Sequence, residues 1–190
     1  MNFLTDFGDL AVLLPLSAVM LIWLLSLRPR SNAIWWLVAF GLCVGLTGLL
    51  KIYLYTCQPF AELQSPSGHT SLSTLVYGAT AVVVAAEAAR WQRVIALGSG
   101  ILVVCGIAIS RIVLGAHSPL EVVCGAVIGS IALAVFAREY LRHKPASLSL
   151  RPLMLALVLL AALLHGQALH AEEMLHAIGR YLGVGAVACP

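Results

Sequence analysis

Apolar and polar positions separate into long blocks along this chain. Six stretches are almost purely apolar, at about residues 9–27, 33–55, 69–89, 93–110, 119–138 and 151–169. Each is near the roughly 20 residues that a helix needs to cross the hydrocarbon core of a bilayer. None alternates with period two, which removes the strands of a closed barrel. Helices remain, because only helices or closed barrels satisfy their backbone groups in lipid. With short connections between the stretches, the pattern predicts an all-α integral membrane bundle of six transmembrane helices, one domain over residues 1–190.

Shorter patterns add detail. Residues 171–184 set Met174, Leu175, Ile178, Tyr181 and Leu182 against Glu172 and Glu173, which reads as a short interfacial amphipathic helix. Glycines four apart, Gly41/Gly45 and Gly125/Gly129, point to close helix contacts. Trp23, Trp35, Trp36 and Trp91 fit the belts that aromatic residues form at membrane surfaces. Asp6 and Asp9 stand where a signal peptide would carry basic residues, so the first apolar run is expected to be a span.

Composition agrees with a membrane protein. The chain is 61% hydrophobic and 10% charged, with a mean hydropathy of +0.99; a soluble domain carries about 25% charged residues. The net charge of +3 comes from scattered basic residues that form no stripe, so nucleic acid is not an expected partner.

Charge placement predicts an orientation. Arg28, Arg30, Arg90, Arg93, Arg138, Arg142, Lys144 and Arg151 follow spans one, three and five, and only Lys51, Arg111 and Arg180 lie on the other side. Positive loops face the cytoplasm. Both termini and the loops after spans two and four are therefore expected outside, in a bacterial inner membrane with those loops toward the periplasm or exterior.

The five cysteines show no metal spacing. Cys43, Cys105 and Cys124 read as small apolar side chains within spans, while Cys57 and Cys189 share the expected outer side, leaving a disulfide between them open.

The two outward loops hold the candidate chemistry. Lys51 closes span two and either snorkels to the interface or presents a point charge to a phosphate. Pro66-Ser67-Gly68-His69 opens span three. There the first backbone N–H groups of a helix can receive an anion, and a glycine allows close approach; an ordinary N-cap turn is the plain reading. In Ser110 to Glu121, Arg111 can grip a phosphate with two parallel hydrogen bonds. His117 can attack phosphorus, and Glu121 can reach back to hold its other ring nitrogen. Ser118-Pro119-Leu120-Glu121 is also a good capping box, so the Glu121 carboxylate has two competing uses. His165, Gln167, His170 and His176 gather near the end of span six and read as solvated at the interface.

In these motifs the chain resembles the type-2 phosphatidic acid phosphatase superfamily of membrane lipid-phosphate phosphatases. Pro66-Ser67-Gly68-His69 matches that pattern intact, as does Ser110-Arg111, five residues, His117; the carboxylate after three further residues is Glu121 in place of an aspartate. Lys51 is followed after six residues by Gln58-Pro59, where the family has Arg-Pro. The resemblance implies His117 as nucleophile, His69 as acid for the leaving group, and Glu121 orienting His117. It implies Lys51, Gln58, Ser67, Gly68 and Arg111 around the phosphoryl oxygens, with no metal and no cofactor. The substrate would be a membrane lipid phosphate or pyrophosphate, such as undecaprenyl pyrophosphate, phosphatidic acid, phosphatidylglycerol phosphate or a lipid A phosphate. Two alternatives are a lipid phosphotransferase using the same phosphohistidine, and a non-catalytic lipid-binding or transport protein.

Overall fold

The computed structural model describes residues 2–57, 63–142, 150–167 and 169. Among them a short helix α1 (Asn2–Asp6) precedes six longer ones: α2 (Leu10–Leu27), α3 (Arg30–Cys57), α4 (Gly68–Glu87), α5 (Arg90–Val113), α6 (Pro119–Arg142) and α7 (Arg151–Leu164). No strand occurs among the described residues. Among the described residues, five segments are long and apolar enough to cross a membrane: Phe3–Leu27 and helices α3 to α6, α3 over Arg30–Tyr55.

The sixth predicted span is shorter than expected. Helix α7 has 14 residues and ends where Gly166 takes φ +81°. That left-handed conformation suits glycine and stops a helix. Helices α3 and α5 instead run several residues past the predicted apolar limits, because a helix continues beyond hydrocarbon wherever its backbone can bond internally. The predicted amphipathic helix at 171–184, Cys189, the Cys57 side chain and Gln58 lie outside the described residues.

Helix α4 is the axis of the bundle. It is the most buried of the spans and packs mainly on α5 and α6. Its face is rich in Ser, Thr, Ala and Gly, and small side chains let neighbouring backbones approach closely. A Cβ built at Gly125 would lie 2.5 Å from the Ser67 carbonyl oxygen, and one at Gly129 would overlap Ser71 and Thr74. This glycine pair is therefore a true contact surface. Gly41 and Gly45 have nothing within 4 Å, so the same spacing makes no helix contact there.

Below this seam the core joins Leu13, Met20 and Leu24 of α2, Trp36 of α3, Leu75 of α4 and Phe136 of α6. Trp36 and Trp23 belong to this core and not to an interfacial belt. The Trp36 ring N–H donates to the Ser17 carbonyl at 3.1 Å, which satisfies its one polar atom away from water. Trp91 is exposed, as a belt residue would be. Outward-facing Ile22, Leu49, Leu102 and Leu163 leave an apolar exterior suited to a hydrocarbon surround.

Candidate active site

Antiparallel neighbours bring six helix ends together: the start of α2, the end of α3, the starts of α4 and α6, and the ends of α5 and α7. Lys51, Pro66 to His69 and Ser110 to Glu121 all lie at this end. The basic residues Arg28, Arg30, Arg90, Arg93, Arg138, Arg142 and Arg151 lie at the other.

The turn after α5 sets the spacing between Arg111 and His117. The chain leaves the helix at Leu114, and Gly115 adopts φ +65°. The Gly115 N–H donates to the Ile112 carbonyl at 2.9 Å and the Ala116 N–H to the Arg111 carbonyl at 3.0 Å. This pair of bonds is the Schellman helix ending, which needs a left-handed residue where Gly115 stands. It folds the chain back so that the His117 N–H also reaches the Arg111 carbonyl, at 3.3 Å. Arg111 and His117 are thus held together by backbone.

Helix α6 then starts at once, and Glu121 serves both uses that the sequence set in competition. Its Oε2 lies 2.9 Å from His117 Nδ1 and accepts the Ser118 N–H at 3.1 Å, while the Glu121 N–H donates to the Ser118 hydroxyl at 3.3 Å. The capping box and the histidine contact share one oxygen. The second oxygen does something the sequence did not suggest. Oε1 accepts the backbone N–H groups of Gln64 and Ser65, at 2.9 and 2.8 Å. One buried carboxylate therefore ties the nucleophile candidate to the turn that opens α4. The Ser67 N–H adds a bond to the Glu121 carbonyl at 3.0 Å.

That turn is narrower as an anion site than the sequence suggested. Ser67 is fully buried and its hydroxyl caps α4, accepting from the Thr70 N–H at 3.4 Å and the Thr70 hydroxyl at 3.0 Å. With its own N–H given to Glu121, Ser67 is committed within the fold. The Gly68 and His69 N–H groups precede the first intrahelical bond, Ser71 N–H to the Ser67 carbonyl at 3.0 Å, and stand at the positive end of the helix. The buried Lys51 packs across this end: a Cβ placed on Gly68 would meet Lys51 Cε at 3.9 Å. Beside it, the Thr47 hydroxyl donates to the Ser71 hydroxyl at 3.0 Å, joining α3 to α4.

Two further residues, Asp9 and Thr5, reach the site at this end. Asp9 Oδ2 lies 3.6 Å from His69 Nε2. Arg111 Nη1 donates to the Thr5 hydroxyl at 3.1 Å. Both partners are far away in sequence, and no local pattern marks them. His165, expected to be solvated, packs against Phe3 and Phe7 with the rings tilted and their centroids 4.4 and 4.5 Å apart. A cleft of about 590 Å³ opens beside His117, bounded by Gln64, Gly115, Ser118, Leu120 and Glu121.

No group of three or more metal-ligating side chains occurs among the described residues. The family model described as the PAP2 superfamily matches residues 51–145, half of the chain, beginning at Lys51 and covering both histidine motifs. No curated protein and no solved structure matches the chain.

Proposed function

The chain belongs to the PAP2 superfamily, whose members are phosphatases, and on that premise we propose that it hydrolyses a lipid phosphate or pyrophosphate through a phosphohistidine at His117. The observation that carries this reading is the Glu121 carboxylate 2.9 Å from His117 Nδ1. A carboxylate on one ring nitrogen fixes the tautomer and directs the other, Nε2, at the substrate.

In the first step Nε2 bonds to phosphorus and the P–O bond to the lipid breaks. His69 gives its proton to the departing oxygen. In the second step a water oxygen attacks phosphorus, His69 takes the water proton, and the N–P bond breaks to release inorganic phosphate. Glu121 offsets the positive charge that His117 gains as its Nε2 becomes bonded.

Lys51, Arg111 and the N–H groups of Gly68 and His69 surround the phosphoryl oxygens, where preorganised donors and cations stabilise the transition state. Ser67 acts through its cap, which holds those N–H groups in place. Gln58 completes the set as a neutral donor. The step needs no metal, because cations and helix N–H groups supply the positive charge. Charge asymmetry supports an outer-leaflet substrate at the periplasmic face of a bacterial inner membrane.

Purified protein should release phosphate, with a chelator present, from at least one of undecaprenyl pyrophosphate, phosphatidic acid, phosphatidylglycerol phosphate and a lipid A phosphate. His117→Ala should reduce release to background while its thermal unfolding is unchanged. Wild-type turnover in that variant would overturn the reading. Label moving from a phosphate lipid to an acceptor lipid, with none released, would replace hydrolysis by transfer.

A further inference from the structure

We propose that Asp9 is a positioning residue for His69, so that each histidine of the site is held by its own carboxylate; this rests on the hydrolytic reading above. Asp9 divides its two oxygens. Oδ1 caps α2, accepting the Ala11 N–H at 2.8 Å, and also accepts the Leu169 N–H at 2.9 Å. Oδ2 is turned to His69 Nε2 at 3.6 Å, with the two side chains 12% and 22% exposed. A helix cap needs only one of these oxygens.

A distance of 3.6 Å is an ion-pair contact and longer than a hydrogen bond. Catalytic contacts in an enzyme without substrate are commonly long and tighten in the complex.

The segment carrying Asp9 is pinned to the face of α4 that bears His69. The Tyr77 hydroxyl donates to the Phe7 carbonyl at 2.7 Å. A Cβ on Gly8 would lie 2.7 Å from Ile107 Cγ2 and 3.2 Å from the Ser73 hydroxyl. Ser73 and Tyr77 follow His69 at intervals of four residues, so all three share one stripe of the helix. On the other side the Thr5 hydroxyl receives Arg111, a phosphate-binding candidate. The segment therefore touches both the acid and the phosphate clamp of the proposed reaction.

The chemical consequence is a mirror of the His117 arrangement. Glu121 takes Nδ1 of His117 and directs Nε2; Asp9 takes Nε2 of His69 and directs Nδ1 toward the leaving oxygen. Asp9 touches no reacting atom and acts only through the orientation of His69.

Asparagine and serine are both good helix caps, so Asp9→Asn and Asp9→Ser keep α2 while removing the carboxylate from His69. In each, kcat for lipid-phosphate hydrolysis should fall about 10–100-fold, by analogy with the loss of a group that orients a metal-ligating histidine, with KM nearly unchanged. Combined with His69→Ala, either change should cost nothing more, because there is no ring left to orient. Wild-type kcat in both variants overturns the inference, as do losses that multiply in the double variant. Wild-type protein that releases no phosphate overturns the hydrolytic reading and this inference with it; release by wild type separates the two.

Discussion

Glu121 is the residue on which the candidate site converges, and its length matters. Its carboxylate spans from His117 Nδ1 and the Ser118 N–H on one side to the Gln64 and Ser65 N–H groups on the other. Glu121→Gln keeps the length but loses the charge and turns one of two accepting oxygens into an N–H donor facing backbone N–H groups. The thermal midpoint should therefore fall somewhat while kcat falls by about 10⁴, by analogy with a triad whose carboxylate is made neutral. Glu121→Asp restores the family's residue and shortens the reach by one methylene. It should lower kcat here and loosen the loop before α4, which amide hydrogen exchange at Gln64 and Ser65 would register. Higher activity in the aspartate variant would show that the extra methylene is a defect and not part of the design. The sequence presented Glu121 as a choice between two roles. It could not show that one oxygen serves both while the other holds the loop before α4, because that third use depends on backbone 56 and 57 residues away.

At the scale of elements, the apolar blocks made the helices legible, and the site motifs were legible because each sits at a helix end. Local signals carried that far: the Ser67 cap, the Pro119 start and the Glu121 capping box are all short-range patterns. Lateral packing was not legible. Gly125/Gly129 and Gly41/Gly45 have the same spacing, yet only the first pair faces another backbone. The difference lies in which face of each helix meets a neighbour, and the apolar pattern of a lipid-facing helix does not reveal it. The Thr5 to Asp9 segment was missed for a related reason, since its contacts with Arg111 and His69 join residues about 60 to 106 positions apart.

The close seam yields a prediction. Gly125→Ala places a methyl group against the Ser67 carbonyl, backbone that cannot rotate aside. Overpacking of this kind costs about 1–3 kcal/mol. Because it separates α6 from the α4 turn, phosphate release should fall together with the thermal midpoint. Gly41→Ala, facing open space, should change neither. Equal effects at both glycines would contradict the packing described.

Across the whole molecule, a buried ion pair stands at the end opposite the candidate site. Far from the candidate site, Arg28 Nη2 meets Glu87 Oε1 at 3.1 Å with both side chains almost completely buried. The Arg28 guanidinium also lies over the Trp23 ring, 4.9 Å from its centroid, and 5.7 Å from that of Tyr140. Arg28 is thus a packed ion pair linking the end of α2 to that of α4, although by sequence it counts among the residues that orient the chain. Breaking a buried pair by removing one partner costs about 3–5 kcal/mol, since the other charge stays behind. Glu87→Gln should therefore lower the thermal midpoint in detergent strongly, while kcat measured well below that midpoint stays close to wild type. A large fall in kcat at low temperature would show that the two ends are coupled.

In the proposed reaction His117 carries the phosphoryl group between lipid and water. The direct measurement is a rapid alkaline quench of the purified protein with phosphate-labelled lipid, followed by peptide mapping of the labelled residue. Label is expected on His117, stable in base and lost in acid, and none in His117→Ala. Label on another residue, or steady phosphate release from the alanine variant, would contradict it.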